Sequence, residues 1–476
     1  MNCFNTFLFL IALCAFASNL CAEEPSQPNI VLINVDDLGW MDLACQGSNY
    51  YHTPNVDRLA SQGMRFTNAY AAASNCAPSR ACLLTGQYGP RHGVFTVQNS
   101  ARGKTQKRKL IPTKNTRFIA NNNLTIADIL KANDYRTITI GKWHISKDPT
   151  NNGFDLNIAG SQIGHPVAKL GGYHSPFNYA NCVSEKEGEY LTDRLTDEAI
   201  RFLQQSKDEP FFLYLPFYTV HSPLQAKDAS KKKWDLVEGQ PGQSNSSYAA
   251  MIESMDENVG RLLKTLDDLS LSKNTLVVFT SDNGGVWSTS RQTPLRAGKG
   301  SYFEGGIRVP LIVRWPEQVD AGTTIHEPVI QIDFLPTFAE VTDAKIPEGK
   351  ILDGVSLVPI LKDSQARLEE RALFWHFPIY LQSSGRKKKV EFSIHDRWFR
   401  TRPGSAIRVG NWKLHEYFED GRLELYDLEN DIGETTNLAA SKVDLTNQLH
   451  QRLKEWREKT AAPVPTELNP EYEAVR

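Results

Sequence analysis

Apolar, β-branched runs alternate along the chain with segments whose apolar positions recur every three or four residues. Residues 29–35 (NIVLINV), 136–140 (RTITI), 211–218 (FFLYLPFY), 275–281 (TLVVFTS) and 309–315 (VPLIVRW) are nearly continuous hydrophobic stretches, the pattern of strands covered on both faces. Between them, residues 56–62, 126–132, 191–205 and 248–269 carry apolar residues at helical spacing, and Gly63 stands where a helix would stop. This alternation predicts an α/β fold, a sheet sandwiched by helices. Beyond Leu352-Asp353-Gly354 the segments shorten, and aromatics and mixed charge increase. Residues 405–428 (SAIRVGNWKLHEYFEDGRLELYDL) read as an antiparallel meander with Glu419-Asp420-Gly421 as turn chemistry, and residues 445–460 as a closing helix. The expected division is a leader at 1–22, a main domain at 23–360 and a smaller C-terminal α+β subdomain at 361–476.

The leader changes the compartment. Residues 4–21 (FNTFLFLIALCAFASNLC) form the apolar stretch of membrane character, and Ala22 or Ala17 offers a small residue for cleavage. It reads as a secretory signal peptide. An uncleaved anchor is the alternative, because no Lys or Arg precedes the apolar run. The expected location is periplasmic or secreted, with no membrane span after cleavage. Of 7 cysteines, Cys45, Cys76, Cys82 and Cys182 remain, too few to frame a chain of this size. With 53 Lys+Arg against 55 Asp+Glu the net charge is −2, so no nucleic-acid partner held by phosphate neutralisation is expected.

The chemistry gathers at the strand ends. The first run ends in Asp36-Asp37, the second in Gly141-Lys142-Trp143-His144, the third in Thr219-Val220-His221 and the fourth in Asp282-Asn283-Gly284-Gly285. In an open α/β sheet the ligand crevice lies beyond the carboxyl ends of the strands, so these residues are expected to converge. Asp36, Asp37, Asp282 and Asn283 are hard oxygen donors with no Cys/His cluster at zinc spacing, a set suited to Ca²⁺ or Mg²⁺. Either pair alone is ordinary turn chemistry; the coincidence of both favours a metal. Cys76-Ala77-Pro78-Ser79-Arg80 opens a further expected helix, ending near Gly86. That places Cys76 at a helix amino terminus, as an activated thiolate or as a small buried residue.

CAPSRACLLTG resembles the sulfatase signature, Cys-x-Pro-Ser-Arg followed by Thr-Gly. The resemblance continues in the same order through LINVDDLGW, TPNVDRLASQGMRFTNAYA, GKWH, VHSP, TSDNGG and GKGSYFEGGIRVPLIVRWP, and more weakly near Leu425-Tyr426-Asp427-Leu428. It implies the alkaline-phosphatase-like fold of the formylglycine-dependent sulfatases, with the catalytic residues in 23–360. It implies that a formylglycine-generating maturation enzyme converts Cys76 to formylglycine, whose hydrate attacks the sulfur of a sulfate ester and later releases sulfate. It matches Asp36, Asp37, Asp282, Asn283 and the modified Cys76 to the metal ligands, usually of Ca²⁺. Arg80 matches the residue that holds the diol, Lys142 and Lys299 the lysines that grip sulfate oxygens, His144 the partner of the second hydroxyl, and His221 the donor to the leaving alcohol.

Substrate residues carry a weaker signal. Tyr173-His174, Trp287, Trp375-His376, Tyr380 and Arg408 offer aromatics for sugar rings and cations for a second anion, with His174, His376 and Arg408 the tentative substrate contacts. The basic runs 104–109, 231–233 and 386–389 would attract a polyanion. The expected substrate is a sulfated polysaccharide or its oligosaccharides, with carrageenan the specific choice. The alternatives are a phosphate or phosphonate ester hydrolase of the same superfamily and a non-catalytic secreted glycan-binding relative.

Overall fold

The structure is a computed structural model describing residues 27–382 and 398–473. The expected leader and the basic run 386–389 lie outside the described residues. The strands of the main sheet are β1 (Asn29–Val35), β2 (Met64–Phe66), β3 (Arg136–Ile140), β4 (Leu156–Ile158), β5 (Phe211–Pro216), β6 (Thr275–Ser281), β7 (Leu311–Arg314) and β8 (Thr323–Ile325). Their spatial order is β8-β2-β7-β6-β1-β5-β3-β4. The central strands β6, β1, β5 and β3 are parallel, whereas β7 runs antiparallel to both β6 and β2, so the sheet is mixed.

The continuous apolar run of β1 is explained by its two covered faces. Val31, Ile33 and Val35 pack into one core with α1 (Pro54–Ser61), while Ile30 and Leu32 pack into the other with α2 (Cys76–Thr85) and α3 (Ile126–Lys131). Helices α4 (Leu191–Gln205) and α5 (Ser246–Asp268) complete the first layer, and α6 (Phe334–Val341) the second. A strand's side chains alternate between faces, so only a strand buried on both sides dispenses with polar alternation. Two expected strands are shorter than their apolar runs. Phe217 and Tyr218 leave β5 to carry the chain towards His221, and β7 lies between Pro310 and Pro316, which lack the N–H a ladder needs.

The C-terminal subdomain is an antiparallel sheet of β9 (Ala372–Phe377), β10 (Gly404–Val409), β11 (Trp412–Tyr417) and β12 (Leu423–Asp427), in that spatial order. Helix α7 (Val443–Thr460) packs Leu449, Leu453 and Trp456 against it. The same apolar cluster includes Tyr70, Tyr88, Phe95 and Ile330 of the main part. Among the described residues no helix is long and apolar enough to cross a membrane. Cys45, Cys76, Cys82 and Cys182 are unpaired thiols.

A buried ionic cluster also ties the two parts. Glu304 accepts from Arg308 Nε at 2.7 Å, Lys413 Nζ at 2.9 Å and the Tyr70 hydroxyl at 2.7 Å. Lys413 further meets Glu434 at 3.0 Å, which takes His415 Nε2 at 2.9 Å. Burial opposes ionisation of Glu304, yet Lys413, Arg308 and Arg408 hold its carboxyl well below the usual range. Glu304→Gln leaves buried Arg308 without its carboxylate and Lys413 with Glu434 alone, and is expected to cost about 3–5 kcal/mol, read as a lower denaturant midpoint. A depressed carboxyl stabilises above its ordinary range and loses that contribution as pH falls. The gap between wild type and variant should therefore narrow in strong acid and be widest near neutrality.

Candidate active site

Backbone bonds fasten the strand ends together before any side chain is considered. Asp36 N donates to Thr219 O at 3.0 Å, Val220 N returns to Asp36 O at 2.8 Å, and Asp282 N donates to Val35 O at 3.1 Å. Lys142 N donates to Pro216 O at 2.7 Å. The neighbouring Gly141 has φ +126°, and a Cβ there would meet that same carbonyl oxygen at 2.1 Å, so only glycine lets β3 turn beside β5. Asp37 and His144 sit at positive φ, 62° and 75°, as residues held by their surroundings at sites of function often do.

On this frame the side chains close into one constellation. Ligand atoms of Asp36, Asp37, Cys76 and His221 all lie within 4.8 Å of one another. Cys76 is the first residue of α2, whose amino end points at the carboxyl edge of the sheet, and it is 3 % exposed. Lys299 Nζ reaches Asp37 Oδ1 at 2.6 Å and Cys76 Sγ at 3.2 Å, while Lys142 Nζ reaches Asp36 Oδ2 at 2.6 Å. Arg80, fully buried, donates from Nε to Asp282 Oδ2 at 2.9 Å and from Nη1 to the Lys142 carbonyl at 2.8 Å. Asn283 Nδ2 donates to Asp37 Oδ1 at 2.9 Å, which turns its amide oxygen away from that bond.

The electrostatics follow from packing charges where water is excluded. Burial, together with neighbouring Asp282, Cys76 and Asp37, raises Asp36 well above the carboxylate range despite Lys142. Burial pushes Asp37 the same way, but Lys299 and His221 prevail and lower it. Burial likewise opposes ionisation of the Cys76 thiol, and Lys142 and Lys299 overcome it to hold the thiol well below its ordinary value. Burial brings His144 down to about 4, so it is neutral at physiological pH, with Nδ1 unpartnered inside the protein.

The donor set fits a hard divalent cation. Asp36 Oδ1 and Asn283 Oδ1 are buried acceptor atoms without a hydrogen-bond partner, in a centre already crowded with carboxylates. A buried acceptor left unpaired is costly, and a cation is the group that satisfies several acceptors at once.

The sequence model of the sulfatase family matches residues 28–344, and that of the N-sulphoglucosamine sulphohydrolase C-terminal region matches 298–459. The chain belongs to the sulfatase family. A sulfatase from Formosa agariphila is 34% identical, with 96% of this chain and 94% of that protein covered. N-acetylgalactosamine-6-sulfatase of Mus musculus is 32% identical, covering 75% of this chain and 70% of that protein. Among solved structures, that of Ps i-CgsB in complex with k-i-k-neocarrahexaose superposes with a TM-score of 0.74 at 29% identity, covering 92% of this chain and 98% of that one. A phosphonate monoester hydrolase of Agrobacterium radiobacter, at 22% identity and a TM-score of 0.66, shares the fold alone. The protein is a sulfuric ester hydrolase of the alkaline-phosphatase-like fold.

In this sulfatase the structure brings Asp36, Asp37, Cys76, Arg80, Lys142, His144, His221, Asp282, Asn283 and Lys299 together. It does not bring the three tentative substrate residues to them. His376 is buried between Ser405 Oγ at 2.8 Å and the Pro463 carbonyl at 2.9 Å, and burial pushes it down to about 3. Arg408 is buried in the ionic cluster, bonded to the Tyr70 hydroxyl and, from Nε, to Gly410 O at 2.8 Å. Neither can touch a ligand above Cys76. His174 packs on Tyr190 and lies 3.2 Å from Ala226 O, outside the lining of the catalytic cavity. Its neighbour Tyr173 supports the site from behind, donating to the carbonyls of Tyr218 at 2.6 Å and His221 at 2.9 Å. Within the run 231–233, Lys231 pairs with Asp235 at 2.7 Å and Lys233 with Glu253.

A cavity of about 510 Å³ opens over Cys76. Besides His144, His221 and Lys299, it is lined by Arg102, Arg117, His165, Lys169 and Arg400, none of which sequence reasoning singled out. His165 stacks on His221 with ring centroids 5.9 Å apart. The basic run 104–109, adjoining Arg102, was the nearest signal in the sequence.

Proposed function

We propose that this sulfatase is exported and removes sulfate esters from a sulfated polysaccharide or its oligosaccharides, with carrageenan the specific substrate. In this reading a formylglycine-generating enzyme converts Cys76, and Asp36, Asp37, Asp282, Asn283 and the modified Cys76 hold Ca²⁺, or Mg²⁺ in its place. The carrying observation is the pair of buried, unpartnered oxygens on Asp36 and Asn283 beside Cys76, gripped by Lys299. Support for a glycan comes from the open cationic cavity and from the neighbouring structure solved with a neocarrahexaose. Support for export comes from the apolar leader in residues 1–22.

Formylglycine hydrate supplies an oxygen nucleophile, and the cation supplies positive charge beside it. Everything else falls to side chains of this chain. Lys142 and Lys299 are point-charge donors that suit the charge spread over sulfate oxygens. Arg80, locked by Asp282 and the Lys142 carbonyl, fixes positive charge beneath position 76. Neutral His144 is free to accept a proton next to position 76. His221 Nδ1 lies 2.6 Å from the Ser222 carbonyl, so Nδ1 carries hydrogen, while Nε2 is turned towards Asp37 at 3.7 Å. In the doubly protonated imidazolium form Nε2 also holds a proton, which it can deliver to the departing alcohol, leaving the neutral Nδ1–H ring.

The direct test is sulfate release by the matured protein across carrageenans, glycosaminoglycans and fucoidan, with modification at Cys76 followed by mass spectrometry. Release from carrageenan alone carries the substrate reading, and release from another class alone replaces it. His221→Ala is expected to slow saccharide sulfates by about 10²–10⁴-fold, yet activated aryl sulfates much less, because a good leaving group needs no proton. Equal losses on both would remove the acid role.

A further inference from the structure

The catalytic cavity carries more positive charge than one sulfate ester needs. Of its described lining residues, Arg102, Arg117, Lys169 and Arg400 are cationic in addition to Lys299, and none is Asp or Glu. That imbalance is local, since the whole chain holds 53 Lys+Arg against 55 Asp+Glu. Among the described residues no carboxylate pairs with Arg102, Arg117 or Lys169. A second cavity, of about 440 Å³ in the C-terminal subdomain, shows the contrast. Its Arg402 pairs with Glu419 at 2.5 Å, its Arg422 pairs with Glu424 at 2.9 Å, and Glu416 and Asp420 also line it, so carboxylates accompany its cations.

Arg102 is the best placed of the rim cations. Its segment is clamped from below by Arg108, whose Nη1 donates to the carbonyls of Ala101, Arg102 and Gly103 at 3.1, 3.2 and 3.0 Å. Among the described residues the Arg102 guanidinium itself has one bond, at 3.3 Å to the Val97 carbonyl. Burial lowers Arg102 below its ordinary value; burial does the same to Arg400, which Arg102 also repels. Arg117, exposed, lies over the Phe118 ring at 4.9 Å, and both line the cavity. A guanidinium without a carboxylate of its own, as Arg102 on its clamped segment presents, is ready to fork onto an external oxyanion.

Resting on the sulfatase reading of the centre, we propose that Arg102, Arg117 and Lys169 form a second anion site at the cavity mouth. It takes a sulfate or carboxylate borne elsewhere on the same saccharide, so the preferred substrates are polyanionic rather than singly sulfated.

The test measures binding by calorimetry on the matured full-length enzyme, using sucrose octasulfate, trigalacturonate and glucose 6-sulfate as probes. Octasulfate should bind at least about tenfold more tightly than glucose 6-sulfate. Arg102→Gln and Arg117→Gln should each reduce that preference by about tenfold. Lys232→Gln, an exposed cation outside the cavity, should leave it unchanged. Trigalacturonate distinguishes the sources: tight binding that these variants weaken makes the site a carboxylate reader, and binding of octasulfate alone makes it a sulfate reader. Unchanged preference in both arginine variants, or an equal loss in Lys232→Gln, would overturn the proposal. Turnover of 4-methylumbelliferyl sulfate separates the two layers. Its absence with selective octasulfate binding intact strikes the catalytic reading and spares the rim site.

Discussion

Cys76→Ala is expected to reduce sulfate release from any ester by about 10⁴-fold or more while leaving the fold intact. The loss is large because the residue is the one group at the centre that can be made into a nucleophile. Under the proposed mechanism Lys142, Lys299, His144 and His221 act on the group at position 76 and would have nothing to activate once it is a methyl group. The fold survives because Cys76 is small and opens α2 without supporting a core layer, so an alanine fills nearly the same space. Melting should therefore shift by a few degrees at most, and a collapsed variant would leave the nucleophile untested. Cys76→Ser makes the assignment sharper. It offers one hydroxyl where a hydrated aldehyde offers two, so at most a single turnover per molecule is expected, visible as one sulfuryl group retained on the protein by mass spectrometry. Sustained turnover by either variant would sink the nucleophile.

The parts of this enzyme legible in the sequence are those where a local pattern has one physical cause. Strands such as β1 and β6 are read off because burial on both faces leaves no exposed position for seven residues, and most of them are apolar. The strand ends are read because a run that stops at Asp-Asp or Asp-Asn-Gly must present those groups beyond the sheet. His376 and Arg408 were expected at the substrate because aromatic and cationic residues in a late subdomain look exposed. What buries them comes from far along the chain: Tyr70 against Arg408 and the Pro463 carbonyl against His376. No periodicity announces such partners. Arg102 and Lys169 were missed for the converse reason, since a loop cation becomes a candidate only when the fold shows that, among the described residues, no carboxylate pairs with it.

Under the proposed metal assignment, stripping the matured enzyme with EGTA and EDTA should lower sulfate release by at least about a hundredfold, and Ca²⁺ should restore it. Charge counting at the centre explains the dependence. Asp36, Asp37 and Asp282 face Arg80, Lys142 and Lys299, so the charged groups immediately around position 76 are largely paired with one another and leave that point little net charge of its own. A divalent cation tips that balance positive, and it satisfies the buried oxygens of Asp36 and Asn283 that otherwise lack a partner. The same contacts exist in the folded state alone, so the ion should also raise the melting temperature. At a hundredfold excess over its Kd the gain is about 2.7 kcal/mol. Asn283→Ala should raise the Ca²⁺ concentration needed for both effects together, because it deletes a donor and leaves Lys142 and Lys299 in place. Full activity after chelation, with calcium and magnesium absent by elemental analysis, would refute the assignment. Restoration by Mg²⁺ in preference to Ca²⁺ would keep the site and change the ion.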